Sequence, residues 1–134
     1  MNYVLDTNII TAILKDNEIA KGRMSKAVLD GDEIFVNGIS YYEIKRGLLA
    51  ANATKQLNLF IQFCSKFPVL LLDRVPIFDE AAEIYAHLQK TGALIDDADI
   101  LIASIVKLKD FILVTNNIAH FQRIQGLKTE NWLN

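Results

Sequence analysis

The sequence predicts a single α/β domain, residues 1–134, built on a parallel sheet of about five strands flanked by helices. Three observations carry this. Short apolar runs of strand length alternate with longer stretches whose apolar residues recur every three or four positions, and such alternation builds parallel sheets. No repeat, low-complexity tract or Pro/Gly-rich linker divides the chain, and 134 residues suit one domain. Hydrophobic residues make up 51% and charged residues 22%, which is the balance of a packed core and not of a disordered segment.

The elements follow in order. Residues 3–5 form a first apolar strand that breaks at Asp6. Residues 8–14 read as a helix, and a second helical stretch runs to about Leu29. Gly31 and Asp32 turn the chain into a strand at 34–36. Ser40 can cap the third helix, in which Ile44 and Leu48 share a face. Leu57, Phe60, Ile61 and Cys64 mark the apolar stripe of a fourth helix, stopped by Pro68. Residues 69–72 are apolar throughout, the pattern of a central strand covered on both faces. Ala81, Tyr85 and Leu88 define a fifth helix closed by Gly92. The sixth helix, from about Asp97 to Leu108, is apolar nearly all round and therefore buried. Residues 111–114 give the fourth strand, and a short fifth lies near Leu127.

Several function classes are excluded or disfavoured. No stretch approaches the roughly 20 apolar residues of a membrane span. The start lacks a basic segment followed by an apolar one, so the expected location is the cytoplasm. Cys64 is the only cysteine, which rules out an internal disulfide and a cysteine zinc cluster. A net charge of −2 and a pI of 5.6 give no bulk electrostatic grip on nucleic acid, although bound cations can supply the missing charge. The mean hydropathy of +0.21 implies either an unusually large core or apolar surface that faces a partner.

In open parallel sheets, ligands bind beyond the carboxyl ends of the strands, where strand order reverses. Asp6 lies just past the first strand, and Thr115, Asn116 and Asn117 lie just past the fourth. If those strands are neighbours, both groups line one crevice. Metal-assisted phosphodiester hydrolysis needs carboxylates from several elements to converge on ions about 3.5–4 Å apart. Magnesium prefers hard oxygen ligands and keeps several waters, so two or three carboxylates suffice. Asp6, Glu43 and Asp99 are the candidates.

Each has a structural alternative. Asp6 could simply cap the helix after it. Glu43 stands three residues beyond Ser40, the capping-box spacing, and could reach back to the Ser40 amide. Asp96, Asp97 and Asp99 sit where a helix dipole favours anions. Three acids introducing so apolar a helix nevertheless repel one another, and a cation would relieve the repulsion. His87 reads as a surface residue. His120, after the paired asparagines, could touch a substrate. Lys45 and Arg46 read as solvated helix charges or, alternatively, as phosphate contacts.

At these residues the sequence resembles the PIN-domain family and, within it, the VapC-type toxins. The matching stretches are YVLDTNIITAIL from Tyr3, ISYYEIKRGL from Ile39, AAEIYAHLQKTG from Ala81, IDDADILIAS from Ile95 and LVTNNIAHFQRIQGLKTENWL from Leu113. The resemblance implies a three-layer fold, a homodimer, and metal-dependent endonuclease activity on RNA leaving 5′-phosphate and 3′-hydroxyl ends. It matches the family's acids to Asp6, Glu43 and Asp99, with Asp97 as an auxiliary. Asp6 and Asp99 would bind Mg²⁺ (Mn²⁺ can substitute), and Glu43 would hold a metal-bound water or complete the shell. Thr7, Asn8 and Thr115 would orient the carboxylates. Where the wider family often has a further aspartate this chain has Asn117, which removes one charge from a second metal position. The resemblance also implies a small antitoxin protein as partner and an RNA substrate, with tRNA the first candidate.

Two other readings compete. A phospho-accepting receiver domain has similar length and layer order, with Asp73 and Thr115 in the places of its aspartate and hydroxyl. It lacks the paired acids after the first strand, and Arg74 follows Asp73. A PIN fold kept only for binding, without turnover, draws its support from Asn117.

Overall fold

The computed structural model describes all of residues 1–134. The chain runs β1 (Asn2–Leu5), α1 (Thr7–Leu14), α2 (Glu18–Leu29), β2 (Glu33–Asn37), α3 (Gly38–Ala50), α4 (Thr54–Lys66), β3 (Val69–Leu70), α5 (Val75–Lys90), α6 (Asp97–Leu108), β4 (Ile112–Val114), α7 (Ile118–Phe121) and β5 (Lys128–Glu130). The five strands form one parallel sheet in the order β3-β2-β1-β4-β5. The chain builds outward from β1 to the β3 edge, then returns through α5 and α6 to lay β4 against the other side of β1. Strand order thus reverses between β1 and β4, as the sequence anticipates, with Leu5 opposite Val114.

Alternation along β1 divides the interior into two cores. Tyr3 and Leu5 face a cluster with Ile9, Ile13, Val36, Phe60, Phe63 and Trp132, beneath α1 to α4. Val4 faces the opposite cluster, with Ile77, Leu88, Ile102, Ile105, Leu113 and Phe121, beneath α5, α6 and α7. The result is three layers, helix–sheet–helix. α6 is as buried as its composition implies, with six buried residues between Ile100 and Val106.

Four sequence expectations change. Residues 69–72 do not form a central strand: β3 is two residues long and lies at the sheet edge. Its apolar run arises because Val69 packs on one core and Leu70 and Leu72 on the other, while Leu71 is left exposed. The face of α5 is Ile77, Ala81, Ile84 and Leu88, with Tyr85 outside it. In α4 the buried face includes Phe63, and Ile61 points out.

The fourth change matters for the site. Asn37, not Ser40, caps α3, its Oδ1 accepting from the Ser40 amide at 2.8 Å. The strand runs directly into the helix, so the cap falls three residues earlier than the Ser-x-x-Glu spacing suggests. Asn37 is fully buried, and its Nδ2 also donates to the Leu5 carbonyl and to Ser40 Oγ, both at 3.0 Å. Asn37→Ala should therefore remove a cap and strand two buried acceptors, with an expected loss of about 2–4 kcal/mol. Urea unfolding checks this; a loss under about 1 kcal/mol would show that the junction tolerates the vacancy.

Candidate active site

Asp6 is the first residue beyond β1, and its backbone amide still donates to the Val114 carbonyl at 2.9 Å. The ladder therefore holds its Cα between the ends of β1 and β4. Extended there (φ −76°, ψ 161°), it caps α1, with Oδ1 accepting from the Thr7 amide at 2.8 Å. Oδ2 accepts from Thr115 Oγ1 at 2.8 Å and Asn8 Nδ2 at 3.3 Å. Capping and membership of the acidic site, alternatives in the sequence, are both real: one oxygen serves the helix and the other faces β4. The residue is only 4% exposed. Burial raises its pKa, helped by the charge of Glu43 and opposed by the three hydrogen bonds.

Glu43 lies in the second turn of α3, and the capping-box reading fails because Ser40 is not the cap. Its Oε1 is 2.8 Å from Thr7 Oγ1, which is itself 2.8 Å from Ser40 Oγ. A threonine hydroxyl has one proton and a carboxylate can only accept, so Thr7 donates to Glu43 and Ser40 donates to Thr7. The relay runs from the Asn37 amide through Ser40 and Thr7 to Glu43, tying α3 to the start of α1.

Asp99 is the third residue of α6 and half-buried. Burial, followed by the charges of Asp6 and Asp96, pushes its pKa up to about 6, with His120 acting in the opposite direction. Glu43 adds a smaller push the same way. The three acids predicted from sequence thus feel one another, from three different elements, at the switch point. Asp97 is exposed, and Asp96, the cap position of α6, is the nearby acid of its own helix that acts most on Asp99.

The β4 side is closed by asparagines. Thr115 Oγ1 accepts from the Asn117 amide at 2.9 Å, and Asn8 Oδ1 accepts from the Asn116 amide at 3.0 Å. Asn131 Nδ2 donates to Asn116 Oδ1 at 3.0 Å. His120, to which the sequence gave a minor role, reaches the site: its Nδ1 is 2.7 Å from Asn117 Nδ2 and 3.8 Å from Asp99 Oδ2. A histidine one helical turn beyond an asparagine was the available signal. Lys45 and Arg46 instead rest over Tyr41 and Tyr42 of their own helix, and His87 is at the surface. Asp73 is exposed beyond edge strand β3 while Thr115 is bonded to Asp6, so the two groups a receiver domain needs together are apart.

The donor set is hard carboxylate oxygen, raised in pKa where it is buried and short of cationic partners, which suits a divalent cation such as magnesium. No three His, Cys, Asp or Glu side chains are gathered tightly enough to cage an ion by themselves. The fit is to an ion that keeps part of its water shell.

The class the fold and site define is a helix–sheet–helix domain with a parallel sheet and three acids, Asp6 just beyond β1, Glu43 in α3 and Asp99 in α6, around the β1–β4 reversal. The PIN-domain family model matches residues 3–127, and the chain belongs to that family. It is 31% identical over 137 residues to Ribonuclease VapC2 of Haemophilus influenzae (strain Rd), covering 99% of both. It is 28% identical to the tRNA(fMet)-specific endonuclease VapC of Shigella flexneri, covering 98% of each. Among solved structures it is similar to VapBC-1 of nontypeable H. influenzae, with TM-score 0.88, 28% identity and full coverage of both chains. VapBC2 of Rickettsia felis, bound to a DNA fragment from its promoter, gives TM-score 0.87 at 26% identity, covering 98% of this chain and 99% of that one.

The electrostatics carry a pH prediction. A carboxyl whose pKa is higher folded than unfolded favours the folded state while protonated, and that contribution is lost as pH rises through the folded value. For metal-free protein, Asp99 should therefore lower stability progressively from about pH 4 to pH 6–7. Asp99→Asn, which cannot ionise, should be more stable than the parent at pH 7.5 by on the order of 1 kcal/mol after discounting for partial exposure, with the difference vanishing near pH 4. Thermal melts in EDTA across that range check the sign.

Proposed function

We propose that this chain is a Mg²⁺-dependent endoribonuclease and the toxin of a type II toxin–antitoxin pair, acting in the cytoplasm. The observation that carries the reading is the crowding of Asp6, Glu43 and Asp99 at the switch point, with two of the three held above their ordinary pKa. Asp6 and Asp99 would hold the ion, and Glu43 would hold a bound water or complete the shell; Mn²⁺ would substitute. When bound, the ion supplies Lewis acidity toward the phosphate and lowers the pKa of attached water. The chain's own residues do the positioning. Thr115, Asn8 and the Thr7 amide fix the Asp6 carboxylate, and Thr7, backed by Ser40 and Asn37, fixes that of Glu43. Attack by water with departure of the 3′-oxygen leaves 5′-phosphate and 3′-hydroxyl ends. RNA is the substrate class, and the name of the Shigella relative makes tRNA the first to assay.

The partner reading is a small antitoxin, in keeping with the VapBC complexes among the similar structures. A hollow of 300 Å³ lined by Thr7, Glu43, Ile44 and Leu48 meets, at Leu14, a second of 520 Å³ lined by Ile13, Met24, Leu59 and Phe63. An antitoxin segment lying along both would end beside Glu43. A homodimer would cover the exposed Leu71, Val75 and Phe78 around the start of α5.

With total RNA and Mg²⁺ or Mn²⁺, cleavage should be abolished by EDTA, by Asp6→Ala and by Asp99→Ala, and Glu43→Gln should slow it by about 100-fold without loss of folding. Full activity in EDTA would refute the metal mechanism. A folded wild type that cuts nothing with any metal would favour the binding module without turnover.

The groove makes a separate prediction. Leu59→Asp alters an exposed side chain on its wall, so RNA cleavage should persist while affinity for the small protein encoded beside the toxin falls at least about tenfold. Calorimetric titration of the two purified proteins checks it. Unchanged affinity would place the antitoxin elsewhere.

A further inference from the structure

We propose that Asn131, in the tail beyond β5, is a positioning residue for the acidic site: it holds Asn116, and through Asn116 the side chain of Asn8, where Asn8 donates to Asp6. The proposal rests on the metal-dependent ribonuclease reading above and extends that site to the last strand of the sheet.

A row of asparagines crosses the carboxyl ends of neighbouring strands. Asn8 lies in the first turn of α1, just after β1, Asn116 lies in the loop after β4, and Asn131 directly follows β5. Asn131 Nδ2 donates to Asn116 Oδ1 at 3.0 Å, and the Asn116 backbone amide donates to Asn8 Oδ1 at 3.0 Å. Asn8 Nδ2 then donates to Asp6 Oδ2 at 3.3 Å.

Backbone donors fix the direction of this row. A peptide N–H can only donate, so the Leu133 amide, 2.9 Å from Asn131 Oδ1, leaves Nδ2 as the end that meets Asn116. The Asn116 amide does the same for Asn8. Turned over, Asn8 would set its NH₂ against that N–H and its oxygen against the Asp6 carboxylate, two repulsions in place of two bonds. Asn8 therefore donates to Asp6 because the Asn116 backbone stands where it does.

The tail is the fixed end of the row. Asn116 is exposed, whereas the residues beside Asn131 are anchored: the Glu130 carbonyl accepts from the Thr115 amide at 2.9 Å, and Trp132 is buried edge-on against Tyr3 at 5.2 Å. Of the three bonds on the Asp6 carboxylate, those from the Thr7 amide and Thr115 are 2.8 Å and that from Asn8 is 3.3 Å. The last is already at the outer edge of a good N–H···O bond, so a small retreat of the 116 backbone loses it first. A buried carboxylate with one donor fewer is less well held for a cation, and losing such a partner costs about 10–100-fold in metal affinity or activity.

The test reads the Asn8 side chain directly. Asn131→Ala should still fold, since Trp132 stays buried and the Asn117 amide stays bonded to Thr115 Oγ1. In nitrogen-15 NMR of the metal-free protein it should shift the Asn8 NH₂ signals and speed their exchange with water. Asn131→Asp should leave those signals in place: one oxygen keeps the Leu133 bond, and Asn116, turning its exposed amide over, donates to the other. The Mg²⁺ concentration that half-maximally raises the melting temperature, measured without RNA, should rise about tenfold in Asn131→Ala. In an Asn8→Ala background the same substitution should move that midpoint by less than about twofold, whereas a tail that only stabilises the fold would act alike in both. Three results would overturn the proposal: Asn8 signals unmoved in Asn131→Ala or displaced equally in Asn131→Asp, a Mg²⁺ midpoint in Asn131→Ala within about twofold of wild type, or an equal effect of Asn131→Ala with and without Asn8. A wild type that melts alike with and without Mg²⁺, or cuts no RNA, would instead count against the metal-dependent ribonuclease reading, and the Asn8 signals would still decide whether Asn131 positions Asn8.

Discussion

A carboxylate placed in the dry junction between two strands constrains everything around it. Asp6 continues the β1–β4 ladder through its backbone, so its side chain cannot withdraw to solvent. Packed cores lie on both faces of the sheet it terminates. Burial makes its charge costly, and three donors from Thr7, Asn8 and Thr115 offset part of that cost. Asp99 comes from the opposite helical layer and adds like charge to the same region. Like charge is thus concentrated where the sheet reverses, and Asp6 and Asp99 are both held above the usual carboxylate range.

Glu43 is held differently. Its carboxylate closes a chain of hydroxyl and amide donors that starts at Asn37, where β2 becomes α3 without an intervening loop. Because each hydroxyl has one proton, the order of the chain leaves a single direction in which every group is satisfied. The same asparagine caps the helix and bonds the last carbonyl of β1. Positions of two acids are thereby coupled through backbone and buried polar atoms, not through long flexible side chains. Such an arrangement limits the reorganisation required when substrate binds.

An acidic protein that handles RNA has to obtain its positive potential locally. The cations of α3 are engaged with tyrosine rings, and the salt bridges elsewhere lie away from the three acids. The hollows leading away from Glu43 mix apolar side chains such as Ile44, Leu48 and Phe63 with Lys15, Lys21, Lys55 and Lys66.

The sequence by itself determined the fold class and the order of the strands and the six longer helices, and with the family resemblance it singled out Asp6, Glu43 and Asp99 as candidates. Strand-length apolar runs, helical periodicity and an acid just past a strand are local patterns that burial on a sheet imposes directly. It did not determine that residues 69–72 form a two-residue edge strand, since an apolar run looks alike whether its neighbours are strands or a turn to the next helix. Nor could it discard the capping box: Ser40 and Glu43 have the spacing for one, and only the direct β2–α3 junction, with Asn37 as the cap, removes that reading. His120 was equally undecided, because its meaning depends on which nitrogen meets Asn117 and on the nearness of Asp99, 21 residues earlier in the chain. Spacing along the chain records which faces are buried. Which polar atoms then meet across elements depends on strand order and crossover geometry, and those exist only once the whole sheet has closed.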